Sequence, residues 1–188
     1  HFIEEYIDKY KVSFLPHYYG VDLRITVADQ KYSKSLNEFV GIIRNSIEKY
    51  IYGYNNDTIA STLFDLLISK NISLSIAESC TGGIISKMIT DFSGSSKIFL
   101  GSMVSYSNNF KNILLKVDKN NLDKYGAVSE IVSKDMCKNI KKLTGSEAAI
   151  SATGISGPNG GGKEKKIGIV YITVNYKSYF NTKKFHLY

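Results

Sequence analysis

A short apolar run that turns directly into a helix constrains the fold of this chain more than any other feature. Residues 72–77 (ISLSIA) are rich in apolar and β-branched residues, residues 77–83 (AESCTGG) are mostly small, and helical spacing follows in TGGIISKMITDFSG. Further short strands are predicted at 97–107, 147–156 and 167–176, and further helices at 57–71, 108–117 and 128–145. Strands that alternate with helices predict an α/β/α sandwich with a mixed sheet. A final strand within 178–188 is expected to pair antiparallel at the edge of that sheet.

The first part of the chain has a different pattern. Residues 12–27 (VSFLPHYYGVDLRITV) suggest strand material around a turn, because apolar residues alternate with polar ones in the second half. Residues 34–50 have the spacing of an amphipathic helix, and the turn-rich IYGYNND follows at 51–57. We therefore predict two domains, 1–55 and 56–188.

Composition and charge exclude several classes of protein. The chain has 24 lysines and arginines against 17 acidic residues, a net charge of +7, but only two of the basic residues are arginines. Because arginine does most direct base reading and the lysines are scattered, we interpret the charge as a solvated surface and expect no nucleic-acid partner. No apolar stretch approaches the roughly 20 residues that span a bilayer, so no membrane partner is expected. Cys80 and Cys137 form no metal-spaced cluster with the histidines, so we expect no metal, no disulfide and a cytoplasmic location.

The turn within AESCTGG is the first candidate site. A strand that ends, turns and opens a helix aims backbone N–H groups at one point, where a phosphate or a developing oxyanion can bind. Gly82 and Gly83 would let a substrate approach the backbone closely. Ser79 at the bend is a candidate nucleophile, and the alternative is that Ser79 or Thr81 merely caps the helix. The stretch does not match the G-x-S-x-G elbow of many serine hydrolases.

A serine nucleophile needs a base, and lysine is the better candidate here. The three histidines lie at the chain ends and in the N-terminal segment, so a histidine-based triad is a poor fit. Lys111 lies in VSYSNNFK (104–111), where a predicted strand ends, turns and enters a helix, and burial would lower its pKa. If this strand neighbours residues 72–77, both ends open at one edge of the sheet. Otherwise Lys111 is an ordinary surface lysine.

The glycine-rich segment GISGPNGGGK (154–163) has the spacing of a phosphate-binding P-loop without its chemistry. Glu164 replaces the required Ser or Thr, and a strand follows where a helix is needed. A P-loop nucleotide triphosphatase is therefore excluded. Consecutive glycines after a strand still suit a loop that wraps a ligand with its backbone, and a flexible hairpin connection is the alternative.

Four motifs occur in the same order as in a known family. They are AESCTGG (77–83), YSNNFK (106–111), GAVSE (126–130) and ATGISGPNGGG…KIGIVYI (152–172). On these motifs, residues 57–188 resemble the CinA C-terminal domain family, the nicotinamide mononucleotide (NMN) amidohydrolases also called PncC. Residues 12–56 resemble the small KH-type linker domain that precedes this domain in full-length CinA proteins. The resemblance implies a fragment without the N-terminal molybdopterin-binding-like domain, and without the arginine-bearing segment and final helix that end the family's domain.

The resemblance also implies a reaction and its residues. NMN would be hydrolysed at its carboxamide to nicotinate mononucleotide and ammonia through a Ser/Lys acyl-enzyme, with no cofactor. Ser79 matches the nucleophile, Lys111 the base and Tyr106 a tyrosine beside them. Backbone N–H groups of the turn would hold the oxyanion and the glycine loop the ribose phosphate, which together assign Thr81, Gly82, Gly83, Gly154, Gly157, Gly160 and Gly161. Ser129 is expected to cap a helix.

Two alternatives to the enzyme stay open on the sequence. The chain can be a nucleotide-binding module without catalysis, because an arginine expected near the phosphate is missing. It can also be an interaction module, although its KH-like segment lacks the G-x-x-G loop that grips a nucleic-acid strand. We expect a homo-oligomer, as a dimer, with a small pyridine nucleotide as its ligand.

Overall fold

The computed structural model describes residues 6, 8–162 and 165–187, and the chain divides into two compact units, His1–Thr62 and Leu63–Tyr188. In the first unit, β1 (Tyr10–His17) pairs antiparallel with β2 (Gly20–Val27), and α1 (Leu36–Ile47) follows. Phe39 of α1 stacks on Tyr10 with ring centroids 4.6 Å apart, which buries one end of the hairpin. The predicted strand–turn–strand and the helix after it are confirmed. Lys163, the end of the P-loop-like match, lies outside the described residues.

The division between the units falls inside α2 (Ile59–Lys70), later in the chain than the expected boundary at 55/56. Gly53 gives the physical reason. A Cβ at this position would overlap Asp57 Cβ and lie 3.2 Å from Thr62 Oγ1. The turn-rich segment therefore packs against the first turn of α2, and that turn belongs with the first unit.

The second unit is built on a five-stranded mixed sheet. Its remaining elements are, in chain order, β3 (Leu74–Glu78), α3 (Ile84–Thr90), β4 (Phe99–Val104), α4 (Asn108–Ile113), α5 (Lys119–Tyr125), α6 (Glu130–Thr144), β5 (Ala148–Gly154), β6 (Ile169–Tyr176) and β7 (Tyr179–His186). The strand order is β4-β3-β5-β6-β7, in which β3 is parallel to β4 and β5 while β6 is antiparallel to β5 and β7. The expected antiparallel closing pair is confirmed.

Helices cover both faces of this sheet, so the unit is an α/β/α sandwich. Apolar residues of α5 and α6 form one core with Ala77 of β3, while α2 and α3 form the other with Leu74 and Ile76. Every residue of β3 is buried, including the polar Ser75 and Glu78, because helices cover both faces of this central strand. No helix in the described part of the chain is long and apolar enough to cross a membrane.

The register brings three connecting segments to one edge of the sheet. Glu78, the last residue of β3, pairs with Val104 on β4 and with Ala152 on β5. The turns that leave these parallel strands therefore open side by side. Because β6 runs antiparallel to β5, the glycine-rich loop between them both leaves and returns at this edge.

Candidate active site

Ser79 directly follows β3 and begins a tight turn. Gly82 N donates to Ser79 O at 3.1 Å, and Gly82 and Gly83 have φ angles of +62° and +102°, which favour glycine. The helix α3 has Gly83 as its N-cap, and no side chain at that position caps it. The interpretation of Ser79 or Thr81 as a helix cap is therefore wrong. Ser79, which is 7% exposed, is free to serve another role.

Lys111 lies in α4 and is buried against the turn that carries Ser79. It is 1% exposed, and its Nζ lies 2.9 Å from Ser79 Oγ. The same Nζ donates to Ser105 O at 2.7 Å and to Tyr106 O at 3.1 Å, two carbonyls just beyond β4. No ion pair in the described part of the chain involves this lysine. The alternative of an ordinary surface lysine is wrong.

Burial lowers the pKa of Lys111 from 10.5 to about 8, against an opposing effect of the Cys80 thiol. At pH 7 about one side chain in ten is therefore a neutral amine, against fewer than about one in a thousand for an unburied lysine. Nζ lies within hydrogen-bond distance of three oxygens, those of the Ser105 and Tyr106 carbonyls and of the Ser79 hydroxyl. In the neutral amine, two hydrogens directed at the carbonyls would leave the lone pair directed at Ser79 Oγ, an arrangement compatible with a base.

Cys80, next to Ser79, packs toward β5 instead. A Cβ on Gly154 would lie 3.0 Å from Cys80 Sγ and 2.7 Å from Ile169 O, so the thiol fits only because residue 154 is glycine. Burial raises the pKa of the Cys80 thiol, although a hydrogen bond with Ser156 and the charge of Lys111 act in the opposite direction. The thiol is therefore protonated at neutral pH, and of these two neighbouring groups it is Ser79 that faces a base.

The backbone amides of the turn are only partly free to bind a ligand. Gly82 N is bonded to Ser79 O, and Gly83 N donates to Glu78 Oε2 at 3.0 Å. Thr81 N has no hydrogen-bond acceptor among the described residues, and Thr81 Oγ1 is buried there without a partner. Of the three amides expected to surround an oxyanion, those of Gly82 and Gly83 have acceptors within the turn, and that of Thr81 has none among the described residues.

The glycine-rich loop is closed at its base and begins one strand away from Ser79. Ile155 N donates to Ile169 O at 2.9 Å, so the loop leaves β5 and enters β6 as a hairpin. Gly157 and Gly161 lie against Ile167, whose side-chain atoms would be 2.9 and 2.8 Å from a Cβ at the two positions. Gly160 has a φ of +94°. An open concavity follows, lined by Gly161, Gly162, Lys166, Ile167 and His186.

The expected tyrosine contributes to the site through its backbone. The carbonyl of Tyr106 accepts from Lys111, while the side chain is 75% exposed and its phenol makes no hydrogen bond within the described residues. Ser129 caps α6 as expected, because its Oγ accepts from Val132 N at 3.3 Å.

Glu78 is the main residue of the site that sequence reasoning missed. It is fully buried, and its carboxylate accepts hydrogen bonds from the amides of Gly83, Ile85 and Ser86. Burial raises the pKa of this carboxyl, but the hydrogen bonds from Ser86 and the backbone amides outweigh it and leave the pKa below 4.5. The available signal was an acidic residue at the end of an otherwise apolar strand.

Comparison with known proteins assigns the chain to a family. The family model for the CinA C-terminal domain matches residues 56–188. A CinA-like protein of Prochlorococcus marinus (strain MIT 9215) is 46% identical over 157 residues, which cover 82% of this chain and 37% of that protein. A CinA-like protein of Syntrophomonas wolfei is 42% identical over 159 residues, 84% of this chain and 38% of that protein. The chain thus spans less than half the length of these relatives.

Solved structures agree with this assignment. The crystal structure of a competence-damaged protein (CinA) superfamily protein from Escherichia coli has a TM-score of 0.67 and 29% identity, covering 78% of this chain and 86% of that one. The competence/damage-inducible protein CihA from Agrobacterium tumefaciens has a TM-score of 0.64 and 31% identity, covering 68% and 76%. With its motifs, its mixed sheet and these matches in agreement, the chain belongs to the CinA C-terminal domain family.

Proposed function

We propose that this protein hydrolyses the carboxamide of NMN to nicotinate mononucleotide and ammonia through a Ser/Lys acyl-enzyme. The observation that carries the proposal is a buried lysine amine 2.9 Å from a serine hydroxyl, with its other hydrogen bonds directed to two carbonyls. A pKa of about 8 provides the neutral form that a base requires.

In the first step, Ser79 attacks the carboxamide carbon. Neutral Lys111 accepts the hydroxyl proton while Ser79 Oγ forms the new bond to carbon, and the carbonyl oxygen becomes an oxyanion. General-base assistance of this kind contributes about 10²–10⁴-fold to a rate. The amide of Thr81 supports the proposal as an oxyanion donor, because it lies two residues from the nucleophile and has no acceptor among the described residues.

In the second step, the same lysine acts as an acid. Protonated Lys111 gives its proton to the carboxamide nitrogen, the carbon–nitrogen bond breaks and ammonia leaves. The nicotinoyl group stays on Ser79 as an ester. Water then attacks that ester, Lys111 takes a proton from the water, and the proton returns to Ser79 Oγ as the carboxylic acid product leaves.

The glycine-rich loop is the proposed site for the ribose phosphate of the substrate. It begins at Gly154, one strand away from Ser79, and its far side borders Lys166 and His186. Backbone amides of consecutive glycines and a lysine side chain are groups that bind phosphate in proteins. The reactive carboxamide and the phosphate of one mononucleotide would then lie along the same edge of the sheet.

The test is ammonia release from NMN, measured with the parent chain and with Ser79→Ala, Lys111→Met and Cys80→Ala. We expect activity in the parent, losses on the order of 10³-fold or more in the first two variants, and at most a few-fold change in Cys80→Ala. Cys80→Ala is the matched control because it alters the neighbouring side chain while leaving the dyad intact.

Equal activity in the parent and in Ser79→Ala would contradict the mechanism. Binding of NMN without ammonia release would support the alternative of a nucleotide-binding module, and calorimetry with NMN separates that outcome from a protein with no affinity for it.

A further inference from the structure

We propose that Glu78 is a positioning residue that holds the nucleophile turn in its reactive shape, an inference that rests on the Ser/Lys mechanism of the proposed function. The turn consists of the four residues 79–82, between Glu78 at the end of β3 and Gly83 at the start of α3. Glu78 is attached to both sides of it. Its backbone belongs to the strand, and its side chain reaches across to the helix.

The side chain of Glu78 closes the far side of the turn. Oε2 accepts from Gly83 N at 3.0 Å and from Ile85 N at 3.2 Å. Oε1 accepts from Ser86 N at 2.9 Å and from the Ser86 hydroxyl. Three of these four donors are backbone amides at the start of α3 that no helical carbonyl can satisfy. One carboxylate therefore fixes where the helix starts relative to the strand, and with it the path of the residues between.

The backbone of Glu78 ties the near side of the turn to the segment that holds the lysine. Glu78 O accepts from Ser105 N at 2.8 Å, and the carbonyl of Ser105 in turn accepts from Lys111 Nζ. Residue 78 is thus linked on one side to the base and on the other to the helix that ends the nucleophile turn. A shift of its side chain would move Ser79 relative to Lys111.

Proton transfer by Glu78 is excluded by the same contacts. Both carboxylate oxygens are occupied by donors, the residue has no exposed surface, and Lys111 rather than Glu78 lies at Ser79 Oγ. No ion pair in the described ranges includes Glu78, so N–H and O–H groups alone stabilise its charge. Its contribution is to geometry, and the variant that tests it must keep the size of the side chain while removing acceptor capacity.

The experiment compares Glu78→Gln with Glu147→Gln. Glutamine has one acceptor oxygen where Glu78 has two, so one pair of donors would face an NH₂ group. Glu147 is the matched control because it also accepts from a backbone amide, that of Ser73 at 3.2 Å, but is exposed at the opposite end of the sheet. The kcat and KM for NMN are measured across pH, together with the rate at which a fluorophosphonate labels Ser79, determined by mass spectrometry.

We expect kcat and the labelling rate of Glu78→Gln to fall on the order of 10²-fold, because a displacement of about 1 Å at a reacting atom has that effect. KM should change less than about threefold, and the pH midpoint of kcat/KM should stay where it is in the parent, since Glu78 acts through position rather than through the charge of Lys111. Ser86→Ala removes one hydrogen-bond donor to Glu78 and leaves every backbone amide paired. It should reduce kcat and the labelling rate severalfold. It also provides the test if Glu78→Gln does not fold.

Three results would overturn the inference. They are unchanged rates in Glu78→Gln and Ser86→Ala, a loss of the same size in Glu147→Gln, and a loss accompanied by a shifted pH midpoint. Labelling separates this inference from the proposed function. If NMN is not hydrolysed but Ser79 is labelled, and labelled far more slowly in Glu78→Gln, then the substrate is wrong and the positioning role stands. If the parent is neither active nor labelled, both proposals fail.

Discussion

Replacing Lys111 with methionine should change how the stability of the protein depends on pH. In the folded protein the pKa of Lys111 is about 8, against 10.5 for an unburied lysine. A lysine with a lowered folded-state pKa destabilises the fold below that pKa, because the unfolded chain keeps the proton more readily than the folded one. The destabilisation fades as pH rises from about 8 toward about 10.5, since both states then lose the proton.

The magnitude follows from these two values. At about pH 6.5 the lowered pKa makes the protein about 3 kcal/mol less stable than it would be with an unperturbed lysine, and at about pH 9.5 only about 1 kcal/mol less stable. Methionine cannot bond Ser105 O or Tyr106 O, and each unpaired carbonyl costs about 1–3 kcal/mol, but that loss is the same at both pH values. Relative to Lys111→Met, the parent should therefore gain about 2 kcal/mol between the two pH values.

Urea unfolding followed by circular dichroism at several pH values between these limits measures the difference directly. Lys138→Met, at an exposed position of α6, is the control and should leave the pH dependence of the parent unchanged. A difference between parent and Lys111→Met that stays constant across this range would refute the reasoning. It would mean that burial does not lower the pKa of Lys111, and fewer than about one side chain in a thousand would then be neutral at pH 7, too few for a base.

Further predictions follow from the same geometry. The kcat/KM for NMN should rise about tenfold per pH unit up to about pH 8 and then level off, because Lys111 must be neutral to accept a proton; a flat profile over this range would contradict its role as the base. Gly154→Ala should destabilise the protein by about 1–3 kcal/mol in thermal or urea unfolding, because the added methyl group meets Ile169 O and Cys80 Sγ; unchanged stability would show that the strand ends can move apart. The lowered pKa of Glu78 contributes stability above about pH 4.5 that is lost as pH falls through the folded-state value, so acid unfolding of Glu78→Gln should be less steep than that of the parent. Acid unfolding curves of equal steepness would argue against an ionised Glu78.

The sequence predicts most of the sheet because local pattern and burial agree there. The run at 72–77 predicts β3 because a strand covered on both faces is mostly apolar, and Leu74, Ile76 and Ala77 meet that condition. The helix α5 was missed because Leu122 is its only buried residue and no apolar stripe develops over seven residues. The predicted boundary at 55/56 coincides with the start of the family-model match, whereas the compact units divide between Thr62 and Leu63, inside α2.

The site is predictable in its residues and less so in their contacts. Ser79 and Lys111 were candidates because each follows a predicted strand, and the resemblance to the family singled them out as a pair. The structure places the two strands side by side and the two side chains in contact. The sequence does not predict which backbone amides of the turn lack a hydrogen-bond acceptor, because that depends on where the Glu78 carboxylate lies after folding. An acidic residue between an apolar strand and a glycine turn has no distinctive spacing in the sequence. The four hydrogen-bond donors to the Glu78 carboxylate come together only when the chain folds.

The reversal of direction between β5 and β6 bears on how this active site can diversify. A parallel partner would have required a long crossover to the opposite end of the sheet, whereas the hairpin returns at the edge where it left. Insertions, deletions and substitutions between Ile155 and Gly168 can therefore reshape the rim around a ligand without altering a single strand pairing. Ser79 and Lys111, which lie on neighbouring connections, would keep their geometry through such changes. For protein engineering, this hairpin is the segment in which to vary the range of ligands while the contact between Ser79 and Lys111 stays fixed.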